Sequence, residues 1–124
     1  MAINVLDLIQ RVQNEITMDT DTENPRWPVD TMIEFVKQTA QELTHMRKHL
    51  LLDSKGLPVS SEAILANINN GEAELPFPNR YTEAMVHGVA MRCFLMDAAD
   101  QNNATRATYE RTRFYELAGV TQTA

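Results

Sequence analysis

Between Val29 and Leu51 the apolar residues Met32, Val36, Ala40, Leu43, Met46 and Leu50 follow one another at gaps of three or four. That spacing returns to one face of a helix at every turn, and a strand, with its period of two, cannot use it. It predicts an amphipathic helix over 29–51, on the order of 33 Å long. A stripe of that length has to be covered, so the rest of the 124 residues must supply the elements that lie against it.

Three further stretches share the spacing. Residues 4–17 place Val5, Leu8, Ile9, Val12 and Ile16 on one stripe, with Asn4 as N-cap and Asp7 in the favourable first turn. Residues 80–99 align Tyr81, Met85, Gly88, Arg92, Leu95 and Ala99, broadened by Ala84, Met91 and Phe94. Gly88 lets another backbone approach closely there, and Arg92 has to reach a carboxylate or snorkel to the edge. A last helix starts after Asn103 and runs to Ala118. Its face comes from Ala107, Glu110 or Arg111, Phe114, Leu117 and Ala118, and Gly119 stands at its C′ position.

The connections differ in kind. TMDTDTENPRWP is polar, acidic and closed by Pro25 and Pro28, and Trp27 is expected to pack against Ile33 or a neighbouring helix. Between residues 53 and 79 the periodicity fades. DSKG reads as a turn, and SSEAILANINNG as a short helix capped by Ser60 or Ser61 and stopped by Gly71. ELPFP must be extended, because residues before proline avoid the helical region. Its Leu75 and Phe77 suit packing across the chain's own core better than reaching a neighbouring subunit. No repeat and no alternating strand is present. The expected fold is all-α: a small antiparallel bundle of three to five helices in one domain. Residues 4–52 and 80–119 are its helical parts, 53–79 an irregular arm and 120–124 a tail.

Composition narrows the function. Seventeen acids against eleven bases give a net charge of −6, which draws the chain toward neither nucleic acid nor anionic lipid. The lone Cys93 forms no internal disulfide and sits in the apolar run RCFLM, so it is expected buried and inert in a reducing compartment. MAINVLDLIQ lacks the basic leader of a signal peptide, and no apolar run approaches the ~20 residues a membrane span needs. Seven methionines read as flexible core filler ahead of a contact surface.

Candidate chemistry fails on spacing. Asp97, Asp100, Asn102 and Asn103 form an oxygen-rich cluster, but a calcium loop counted from Asp97 meets Asn102 at its glycine position and Thr108 at its glutamate position. Counted from Asp19, Asp21 and Glu23 alternate correctly and the pattern then breaks at Asn24 and Asp30. The cluster reads instead as a helix break, with Asn103 capping the last helix. Glu42 and His45 make one E-x-x-H, which di-iron bundles use twice; the other pair, Glu83 and His87, is one residue too wide. His45 and His49 are one turn apart without the zinc-protease glutamate between them. Arg106, Arg111 and Arg113 with Tyr109 and Tyr115 form a modest basic-aromatic patch, diluted by Glu110 and Glu116. No catalytic, cofactor-binding or metal-binding residue is assigned.

The segment RYTEAMVHGVAMRCFLMDAADQNNATRATYERTRFYELAG resembles the C-terminal hairpin of head-to-tail adaptor (connector) proteins of tailed bacteriophages. Arg80 and Tyr81 match the entry of that hairpin, and Asn102 through Ala107 match its turn. A short helix, a loop ending in Arg26 and Trp27, and a long helix likewise resemble the start of such adaptors. Many relatives carry a longer, strand-containing insertion where this chain has its short arm. The resemblance implies a non-enzymatic virion protein without cofactor, assembled in the host cytoplasm and located at the neck. It would form a homo-oligomeric ring, commonly a dodecamer, between the portal protein and a tail or nozzle protein. Genomic DNA would pass through the lumen without specific binding, and no membrane would be involved. Leu75, Phe77, Arg111, Tyr115, Val120 and Thr121 are the candidate subunit or portal contacts. Two alternatives stand beside this reading. One is a small metal-binding bundle enzyme using Glu42, His45, Glu83 and His87; the other is a helical regulator gripping DNA through Arg111 and Arg113 on the last helix.

Overall fold

The computed structural model describes residues 3–19, 26–47, 50, 55–57, 59–60, 66, 68, 73–75, 77–96 and 101–119. Among the described residues four α-helices make up a small all-α bundle: α1 (Val5–Val12), α2 (Val29–Met46), α3 (Thr82–Met96) and α4 (Gln101–Leu117). A π-helical segment, Gln13–Thr17, continues α1, and a 3₁₀ turn, Asn79–Tyr81, leads into α3. Among the described residues none belongs to a strand, and no helix is long and apolar enough to cross a membrane.

α1 follows its sequence closely. The Asn4 side chain accepts from the Asp7 amide at 2.7 Å, satisfying one of the orphan donors of the first turn. Val5, Leu8, Ile9 and Val12 are fully buried, and Ile16 packs at the edge of the core. The loop after it is clasped by Asp19, whose carboxylate accepts from the amides of Arg26 and Trp27 at 2.9 and 3.0 Å. Asp19 is thereby a loop-closing acceptor. Trp27 meets Phe94 of α3 edge-on, with ring centroids 6.2 Å apart.

α3 is the central helix. It packs against α1, α2 and, most extensively, α4. Ala84, Met85, Val86, Gly88, Val89, Ala90, Met91, Cys93 and Phe94 are all buried, so the helix is covered on nearly every side rather than along a stripe. The expected line through Leu95 is corrected here: Leu95 is 51% and Met96 62% exposed, because in the last turn Cys93 and Phe94 take the side that meets α2 and α4. Contacts between His87 and Glu110, and between Phe94 and Arg106, run in opposite order along α3 and α4, so the two form an antiparallel hairpin. Cys93 is buried, with Sγ 3.4 Å from Met32 Sδ on α2. The methionines divide: Met32, Met85 and Met91 lie in the core, whereas Met18 and Met96 face solvent.

Two boundaries move. α2 ends at Met46, not Leu51, because Arg47 leaves helical geometry (φ −123°, ψ 78°) and turns toward the end of α4. Its guanidinium donates to the carbonyls of Ala118 and Gly119 at 2.7 and 2.6 Å, capping α4 from outside. α4 begins by Gln101, so Asn103 is an interior, buried helical residue and not the N-cap. Asp97 and Asp100 lie outside the described residues, as do most of the proposed short helix, His49, Val120 and Thr121. Gly119 adopts φ +81°, the left-handed C′ geometry that glycine provides without strain. The arm turns at Lys55–Gly56, where the sequence places its DSKG turn, and pairs with α1 around Glu74. Leu75 donates to Ile3 and Val5 to Ala73 at 2.9 and 2.8 Å, an antiparallel bridge onto the entry of α1.

Candidate interaction surface

Leu75 and Phe77 are 5% and 8% exposed and belong to the same apolar cluster as α1 and α3. The chain's own core takes up both side chains, which leaves little of either for a neighbouring subunit. The other two described candidates, Arg111 and Tyr115, come together on α4. Arg111 Nε donates to the Tyr115 hydroxyl at 3.2 Å, and that hydroxyl donates to Glu42 Oε2 of α2 at 3.1 Å. Glu42 Oε1 accepts from Arg92 Nη2 of α3 at 2.6 Å. Arg92 also reaches the Thr39 hydroxyl and the Gly88 carbonyl at 3.2 and 3.3 Å, so it finds the carboxylate its position demands. The hydrogen bond to Tyr115, and to a lesser degree the Glu42 charge, holds the Arg111 guanidinium's pKa above its ordinary value.

This relay of four side chains ties α2, α3 and α4 together at the floor and rim of an open groove of about 490 Å³. α2 contributes Phe35 and Gln38 to its walls, and α3 contributes Met91, Leu95 and Met96. Gly88, one turn before Arg92, makes the close packing behind the groove possible. A Cβ there would overlap Thr39 Cγ2 of α2 and stand 3.1 Å from the Phe114 ring of α4. The expected close approach at Gly88 therefore exists, but side chains make it rather than a backbone.

The residues of the metal alternative are kept apart. Glu42 belongs to the relay, Glu83 pairs with Arg11 of α1, His87 Nδ1 pairs with the buried Glu110, and His45 is exposed on α2. Among the described residues no cluster of three His, Cys, Asp or Glu side chains could hold a metal ion. On the last helix Arg113 pairs with Glu116, and Arg106 donates to the Ile16 carbonyl while lying over the Phe94 ring, 4.4 Å from its centroid. The basic patch is thus largely engaged within the chain. Both Arg–aromatic dipeptides share one arrangement. Trp27 and Tyr81 are buried, and Arg26 and Arg80 lie over those rings at 4.5 and 5.0 Å.

Phe35, Gln38 and Met96 as groove walls were not legible in the sequence. Phe35 stands beside the stripe of Met32, Val36 and Ala40 and not on it. Leu95 and Met96 end an apolar run in which periodicity has no contrast to show which side faces out. No family model, curated protein or solved structure matches the chain.

Proposed function

We propose that this chain is a structural virion protein, a head-to-tail adaptor forming a ring between the portal and the tail of a tailed bacteriophage. The observation that supports it best is the α3–α4 hairpin, entered through Arg80–Tyr81 and closed at Gly119, seated on a long α2 that follows Arg26–Trp27. That order of elements is the one the resemblance rests on. The groove between α2 and α3, with Arg111 of α4 at its rim, adds an open surface on the same body, and a ring needs two different complementary patches per subunit. The partners in this reading are the portal protein, a tail or nozzle protein and further copies of the chain.

Co-sedimentation with the portal protein encoded beside it tests the reading. The expected result is saturable binding at micromolar concentration with several copies per portal ring. Absence of binding across that range, with both proteins folded, would overturn it.

A further inference from the structure

Leu95 and Met96 stand half to two-thirds exposed and line the groove together with Phe35 and Met91. Exposed apolar residues scattered singly need no explanation, but these converge on one concavity. Two methionines among the lining residues give the walls the adaptable, polarisable character that suits a docked side chain. The electrostatics of the groove oppose those of the chain. Its lining holds two guanidiniums, Arg92 and Arg111, against the single carboxylate of Glu42, on a protein of net charge −6. Glu42 is engaged by Arg92. Arg111 commits its Nε to the Tyr115 hydroxyl and forms no ion pair among the described residues, so its outer nitrogens remain at the rim as donors.

We propose that this groove docks an amphipathic helix of a partner protein, one that sets apolar side chains between Phe35 and Leu95–Met96 and places a carboxylate against Arg111. The walls are two helices, α2 and α3, with Arg111 of α4 at the rim, and a cleft between two packed helices is one into which a third can lay its apolar face. The Glu42–Arg92–Tyr115 relay pre-orders the charged rim, so little side-chain freedom is lost on docking. The inference deepens the adaptor reading and rests on it only for which protein supplies the helix.

The test uses the full chain and two labelled synthetic amphipathic peptides with the same leucine stripe, one carrying glutamates on its flanks and the other lysines at the same positions. Overall charge favours the lysine peptide, since the protein is acidic. A preference for the glutamate peptide can come only from local charge. Fluorescence anisotropy is expected to show the glutamate peptide binding about fivefold tighter at low salt. Arg111→Glu should reverse that preference. Leu95→Asp should weaken binding of the glutamate peptide by about tenfold or more. Both sites are exposed, so both variants should stay folded, with melting lowered slightly by Arg111→Glu, which gives up the Tyr115 contact; Met96→Asp serves as the second apolar variant if Leu95→Asp melts early. Equal binding of the two peptides, no binding, or a preference that survives Arg111→Glu would overturn the proposal. Self-association abolished by Leu95→Asp would also overturn it, by making a second copy the occupant. Failure here and failure of the adaptor reading are separable, because the peptides report on the free chain and co-sedimentation reports on the portal.

Discussion

α3 and α4 are neighbours in sequence and partners in space, yet different forces hold them in place. Nine of the fifteen residues of α3 are buried, all of them apolar or small. Only four of the seventeen in α4 are buried, and two of those, Asn103 and Glu110, are polar. α3 goes to the centre because no other arrangement hides so many apolar groups from water. α4 lacks that drive. Individual contacts position it: Phe114 over Gly88, Glu110 on His87, Arg106 over Phe94, and Arg47 on its last carbonyls. Burial that is broad tolerates a change of shape at one site, whereas burial through a few specific contacts does not.

Cutting the largest of those contacts is the strongest way to break this contrast. Phe114→Ala should cost about 3–5 kcal/mol in chemical unfolding, since the ring is fully buried and fills the space a side chain at residue 88 would have taken. Hydrogen exchange should accelerate first in α4; acceleration spread evenly over α3 would mean that the two helices are held alike.

Glu110→Ala is expected next in size, at about 1–3 kcal/mol, because it strands the half-buried His87 ring without its acceptor. Glu110→Gln keeps an acceptor in place and should recover part of that loss. An alanine variant as stable as the parent would remove the pair from the account of α4.

The smallest effect sharpens the contrast from the side of α3. Gly88→Ala gains up to about 1 kcal/mol of helix propensity and loses roughly 1–3 kcal/mol to overlap with Thr39 and Phe114, a net loss on the order of 1 kcal/mol. Adding Thr39→Ser removes the overlapping methyl and should return most of it, a coupling that a double-mutant cycle reads directly. A stabilised Gly88→Ala would show that the three helices have room to separate.

Local sequence carried much of this architecture. Asn4 and the Val5–Val12 stripe placed α1, the Met32–Leu43 stripe placed α2, and Gly119 marked the end of α4, because caps and periodicity act within a turn or two of the chain. Arg92 was legible as a charge in need of a partner, though not which carboxylate would meet it. The end of α2 was not legible. Leu50 keeps the period, and the helix stops because Arg47 reaches carbonyls that lie far along the chain. Asn103 has the chemistry of a cap, yet it lies inside a helix that begins earlier. The groove was hidden for a related reason: an apolar run such as FLM carries no sign of which residue the fold will leave uncovered.

The amino-acid sequence by itself determined that this protein is a bundle of helices, which stretches form them, and that its core is apolar, since those outcomes depend on propensity and spacing between near neighbours. Only the tertiary structure decided that α3 lies at the centre, that α2 stops at Met46, and that Arg92, Glu42, Tyr115 and Arg111 meet at the groove. Those four come from three helices, and their meeting depends on how the helices cross, a quantity that no short stretch of chain encodes.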